Sequence, residues 1–193
     1  MKKILSSLLF VVSTSCMAGF ISPVSVTSLQ PSTFGTPTDL IKDAIDVSYA
    51  APNPGSGGAG TSNWVNSNFN TWTFDFASAN RLSGAYIWDY YGHSATDWSL
   101  VFFDGLGGAG SNLGQFSFSF AVVPFGAGVL HTISFAPVDS VRSVTLTNTN
   151  TSVRGGVGLS EVAFNNVPEP STVLLLSIGL LGFVGFRAKA KSA

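Results

Sequence analysis

Two short stretches hold most of the side chains able to do chemistry. The run Asp89-Tyr90-Tyr91-Gly92-His93-Ser94-Ala95-Thr96-Asp97 brings two carboxylates, two phenols, an imidazole and hydroxyls into one segment. Arg154 stands alone further on, in Asn150 to Gly156 (NTSVRGG). A sugar ring offers an apolar face that stacks on an aromatic ring, and hydroxyls that need paired donors and acceptors. Asp89, Tyr90, Tyr91, His93 and Arg154 supply both kinds of contact and form the candidate ligand-binding set. The competing reading is that these rings complete the core and that Arg154 is simply solvated.

The same residues argue poorly for catalysis. Imidazole is the side chain that exchanges protons near neutral pH, and the chain has two histidines, His93 and His131. His131 alternates with Thr132 as on a strand, which reads as packing. Sequence neighbours in one loop rarely give triad geometry, which needs an oriented base and an oxyanion site. There is no nucleophile elbow and no zinc-type histidine–glutamate–histidine spacing. Asn53 to Thr61 (NPGSGGAGT) and Gly105 to Gly114 (GLGGAGSNLG) are glycine-rich. Neither is followed by the lysine or opening helix of a phosphate loop, so both read as long surface loops. No catalytic residue is expected, and an extracellular hydrolase ranks last among the alternatives.

Charge excludes another class. Residues 19–167 carry nine acids against four bases (Lys42, Arg81, Arg142 and Arg154), a net charge of −5. Nucleic-acid binding needs a basic stripe, and none is present.

The elements that must position these groups are strands. Trp72, Phe74 and Phe76 alternate with Thr71, Thr73 and Asp75, and Tyr86, Trp88 and Tyr90 follow in the same rhythm. Trp98–Leu100–Phe102, Phe116–Phe118–Phe120–Val122, His131–Ile133–Phe135 and Arg142–Val144–Leu146 repeat it. Val157, Leu159, Val162 and Phe164 close the series, with a change of face near Ser160 that suits a bulge. Seven strands separated by Gly, Asn, Asp and Pro predict an all-β sandwich. Leu40 to Asp46 (LIKDAID) is the one stretch of the middle that reads as a helical turn, with Thr38 or Asp39 as its cap.

Both ends are built differently. Lys2-Lys3, the apolar run Ile4 to Val12 and the small residues before Gly19 have the layout of a secretory signal peptide, with cleavage expected after Ala18. Lipoprotein processing at Cys16 is the alternative, but Ser13-Thr14-Ser15 lacks the branched apolar residue such signals carry. Simple cleavage removes Cys16, the sole cysteine, so stability must come from burial rather than disulfides. At the other end, 173–186 is an uncharged apolar segment followed by Arg187, Lys189 and Lys191. As a helix it would span about 21 Å against a hydrocarbon core of about 30 Å, with basic residues left in the cytoplasm. The expected organisation is a signal peptide at 1–18, one β-sandwich domain at 19–166, and a tail at 167–193.

Pro168-Glu169-Pro170, then the apolar segment, then the basic end, resembles the PEP-CTERM sorting signal of exported Gram-negative proteins. The resemblance implies a membrane-embedded exosortase and the secretion machinery as partners, transient membrane attachment through the tail, and release or retention at the cell surface. It also implies an exopolysaccharide or biofilm setting.

The middle resembles the discoidin-like domains, jelly-roll sandwiches of the galactose-binding-like superfamily. The pieces that carry the likeness are Leu40–Asp46, Trp64, Thr71–Phe76, LSGAYIWD at 82–89, DWSLVFFDG at 97–105, VRSVTLTN at 141–148 and GLSEVAF at 158–164. Two departures stand out: Asp46 is followed by Val47 rather than glycine, and the family's terminal cysteine pair is absent. The resemblance implies a binding end formed by the connections holding Asp89–His93 and Arg154. It also implies a structural calcium held by Asp43 or Asp46 with Glu161. An extracellular polysaccharide is the expected partner, and a structural biofilm or envelope protein with no discrete ligand is the rival.

Overall fold

Trp72, Phe74 and Phe76 are at most 1% exposed, while Thr71, Thr73 and Asp75 between them are half-buried. Period-two burial of this kind is what a strand produces when one face meets a core. The computed structural model describes residues 19–41, 62–90, 95–121, 129–150 and 155–167. Within them the elements are β1 (Gly19–Ile21), β2 (Ser25–Ser28), a 3₁₀ turn (Pro37–Ile41), β3 (Asn63–Val65), β4 (Thr71–Asp89), β5 (Asp97–Phe103), β6 (Asn112–Ser119), β7 (Leu130–Asn148) and β8 (Val157–Asn166). All pairings are antiparallel, in the order β1-β8-β4-β7-β5-β6, with β2 added to β4 and β3 to β8.

The sandwich arises because β4 and β7 each serve both layers. The first half of β4 pairs with β2 and with the second half of β7, which also pairs with β5. The second half of β4 pairs with the first half of β7 and with β8. Register shifts between Asp75 and Gly84 bend β4, and Ser140, with φ of 62°, turns β7 beside them. Arg81 and Asp139 meet across this corner at 3.0 Å.

This corrects the expected strand count. The runs at 71–76 and 86–89 belong to the single 19-residue β4, which ends just before Tyr90, and those at 131–135 and 142–146 to the 19-residue β7. Alternation lapses at the corner because Ala77, Ser78 and Ala79 are exposed there, yet the antiparallel partner continues across it. The short strands β1, β2 and β3 were not legible as alternation. The described helical turn starts at Pro37, whose fixed φ suits a first helical position, and overlaps the expected Leu40–Asp46 turn at Leu40 and Ile41, with 42–46 outside the described residues. Asp39 lies inside this turn and accepts from the Thr36 backbone N–H at 2.7 Å.

Most of the core lies between the layers, where Trp72, Phe74, Trp98, Leu100, Ile87 and Phe164 are fully buried. Trp88 and Ala163 form a second, smaller cluster with Phe20, Tyr86 and Leu130. The bulge expected in the last strand is present. Trp88 faces Glu161 and Asp89 faces Leu159, so Ser160 is the extra residue. Leu159 and Val162 can therefore both join the main core. The residues Gly19–Asn166 form one contact unit, and Gly19 and Asn166 are direct strand partners.

Candidate functional site

Where β4 ends, the chain departs from simple packing. Asp89 is fully buried. One carboxylate oxygen accepts from the Val129 N–H at 2.7 Å, and the other lies 3.3 Å from His131 Nε2. Its backbone carbonyl accepts from the Ser160 hydroxyl at 3.0 Å. A buried carboxylate needs such partners to offset lost hydration. Asp89 is thus an internal clamp joining β4, β7 and the bulge of β8, not a group reaching toward solvent. His131 packs as the alternation indicated: its ring stacks on Phe120 with centroids 3.6 Å apart and 15° between planes.

Tyr90, the next residue, is half-buried and belongs to an aromatic group at this end of the sandwich. Its ring stacks on Phe34 with centroids 5.9 Å apart and 21° between planes. Phe34 is bridged to Trp64 through two backbone hydrogen bonds of 3.0 and 3.1 Å. Both Trp64 and Tyr90 lie over the start of β8, where two glycines leave their rings space. A Cβ on Gly158 would stand 3.0 Å from each ring, and one on Gly156 would stand 2.6 Å from the Trp64 indole nitrogen. Gly156 also has φ of 72°, a conformation open to glycine at little cost.

Three distant segments therefore converge: Phe34 before the 3₁₀ turn, Trp64 of β3, and Tyr90 after β4. Phe34 is 38% exposed. Phe34 had no signal in the sequence, because it follows no strand periodicity and sits in the polar stretch Gln30 to Pro37. Tyr91, His93 and Arg154 lie outside the described residues, as do Asp43, Asp46 and the motif Pro168-Glu169-Pro170.

Glu161 is 1% exposed and shares its face of β8 with Trp88 and Ala163. The 3₁₀ turn packs against the same strand. Among the described residues no three acidic, histidine or cysteine side chains gather as a metal centre. Among them, too, no helix is long and apolar enough to cross a membrane, and the segment 173–186 expected to do so lies outside them.

A concavity of about 480 Å³ opens between β6 and the first half of β7, lined by Phe116, Phe118, Phe120, His131 and Ile133 among others. Its rings form a row, Phe116 to Phe118 at 6.2 Å and Phe118 to Phe120 at 5.1 Å.

Residues 166–189 match the PEP-CTERM protein-sorting motif. No curated protein matches the chain in sequence. Among solved structures, the truncated AlyQ with CBM32 and alginate lyase domains aligns with a TM-score of 0.55 at 18% identity. That match covers 80% of this chain, which spans only 35% of the AlyQ chain. The CBM32 of AlyQ in complex with 4,5-unsaturated mannuronic acid aligns at 0.52 and 19% identity, over 77% of this chain and 97% of that one. The family 32 carbohydrate-binding module from C. perfringens NanJ, in complex with galactose, aligns at 0.50 and 10% identity, over 77% and 99%. Identities this low speak for the fold. The chain is an exported protein that joins a jelly-roll sandwich with the fold of CBM32 modules to a PEP-CTERM sorting motif.

Proposed function

We propose that the sandwich is a carbohydrate-binding module, processed by an exosortase and displayed at or released from the surface of a Gram-negative cell. It binds rather than catalyses. The observation that carries this reading is the stacked Phe34–Tyr90 pair beside Trp64, seated over Gly156 and Gly158. Such rings supply the apolar platform a pyranose needs. The connection at 91–94 follows Tyr90 and that at 151–154 leads into Gly155 and Gly156; they hold Tyr91, His93 and Arg154, which would supply donors and acceptors to sugar hydroxyls. Asp89 supports the site from below through Val129 and His131. Support also comes from the CBM32 likenesses, two of which are complexes with sugars.

The chain ends leave the domain far from that group. Gly158 lies under Tyr90, whereas Asn166, eight residues along the same strand, pairs with Gly19. At a strand rise of about 3.3 Å per residue this is a separation of about 26 Å. A domain held through its C-terminus would therefore present the aromatic group away from the attachment point, toward extracellular polysaccharide.

A structural calcium fits the donor chemistry on offer. Carboxylate oxygens suit a hard cation, and Glu161 is a buried carboxylate. The turn that packs on β8 leads within two residues to Asp43 and within five to Asp46. These three side chains would hold the ion and tie the segment after the turn to the last strand. A chelator is expected to lower the melting temperature of the processed protein, and an unchanged melt would remove calcium from the account.

The binding test is a glycan array probed with the processed protein, followed by Tyr91→Ala and Arg154→Ala. Each substitution is expected to weaken binding at least tenfold while leaving the melting temperature nearly unchanged. Absence of binding to any glycan would instead favour an architectural role in the matrix, and collapse of the fold in both variants would favour the reading that these side chains complete the core.

A further inference from the structure

Sheet edges expose unpaired backbone groups, and proteins blunt them by shortness, charge, proline or bulges. Four of the edges here follow that rule. β1 and β3 have three residues each and β2 has four, and the exposed half of β7 carries Pro137 and runs into the bend at Ser140. β6 does not. It has eight residues (NLGQFSFS), no charge, no proline, and a register irregularity only at its start, opposite Phe103. Among the described residues it pairs with β5 alone.

Its inner row is also incompletely covered. Phe116, Phe118 and Phe120 face the core side but remain half-buried, beside the cleft shared with β7. Charge distribution narrows the choice of partner. Residues 105–138 contain no Asp, Glu, Lys or Arg, although residues 19–167 carry a net charge of −5. Two copies of an acidic domain repel one another over most of their surfaces. β6 itself carries no charge, and the carboxylates beside it, Asp97 on Ser119 and Asp104 on the Ser111 N–H, flank its two ends, so a like-charged copy can approach along its middle at low electrostatic cost.

We propose that β6 is a homotypic pairing edge, on which a second copy of this chain adds its own β6 antiparallel across a twofold axis. The interface is self-complementary, as a twofold contact must be. Keeping both phenylalanine rows on the core side places both Ser117 side chains on the solvent face, close to the axis. The two edges then satisfy each other's backbone groups, and each copy extends the cover over the other's half-buried rings. Display on a surface raises local concentration, so a weak pairing of this kind is effective there.

Sedimentation of the processed protein over a wide concentration range tests this. A concentration-dependent dimer is expected, and Ser117→Lys should weaken it at least tenfold with an unchanged melting temperature, because two ammonium groups then meet at the axis. Ser117→Thr should leave association intact. Hydrogen exchange gives an independent readout: the amides of Ser117 and Ser119, which alternate with those bonded to β5 and so face the open edge, should lose protection on dilution. A monomer at every concentration would overturn the proposal, as would a dimer indifferent to Ser117→Lys. Protection of β6 that appears only when a neutral polysaccharide is added would also overturn it, and would assign the edge to glycan instead.

Discussion

The aromatic group at the end of β4 and the phenylalanine row of β6 use the same kind of side chain in different ways. Phe34, Trp64 and Tyr90 come from separate segments, and Trp64 and Tyr90 rest on Gly156 and Gly158, where a Cβ would crowd their rings. Their arrangement leans on particular backbone positions. The β6 rings come from one strand at every second position and lean on Leu100, Trp98 and Phe135. Their arrangement is periodic and tolerant. A convergent, irregular group suits recognition of one shaped ligand, whereas a periodic edge suits pairing with another strand. Aromatic content alone therefore does not distinguish the two roles; the backbone beneath the rings does.

Gly156 is where the two groups should part most clearly. Gly156→Ala forces a Cβ against the Trp64 indole at a positive φ. Strain of about 1–3 kcal/mol and overpacking of about 1–3 kcal/mol should lower the melting temperature by several degrees and displace the platform. Sugar binding should be lost while association through β6 persists. Wild-type stability and binding in the Gly156→Ala variant would show that the glycine seat is dispensable.

Asp89→Ala gives the next largest effect, because it leaves the Val129 N–H and the His131 ring without their buried partner. A loss of about 1–3 kcal/mol is expected in chemical denaturation, together with weaker sugar binding. A stability loss with binding unaltered would detach the clamp from the site above it.

Phe34→Ala should separate recognition from packing with the least cost to the fold. At 38% exposure the ring contributes about 1–2 kcal/mol through partial burial, and its removal should weaken glycan affinity about tenfold, measured by calorimetry. Unchanged affinity would move the recognition surface away from Phe34.

Much of this was legible in the residues. Alternation around Trp72, Trp98, Phe116 and Val144 identified strands because period-two burial follows directly from pleat geometry. The face change near Ser160 announced the bulge, since Leu159 and Val162 are both apolar and three positions apart. The corner of β4 and β7 was not legible: exposed Ala77 to Ala79 look like a loop whether or not a strand runs through them. Asp89 looked like a ligand-facing acid beside two tyrosines. Only the packing of β7 against β4 turned it inward.

By itself, then, the amino-acid order determined the C-terminal sorting motif, the all-β character and the positions of most strands. These follow from local rules of charge, apolar run length and periodicity, which act over a few neighbouring residues. Tertiary structure alone decided that Phe34 meets Tyr90, that Asp89 is a clamp, and that among the described residues β6 pairs on one side only. The clamp joins residues 42 and 71 positions apart, and the ring pair and the pairing of β6 likewise depend on which distant segments meet. No local pattern encodes such meetings.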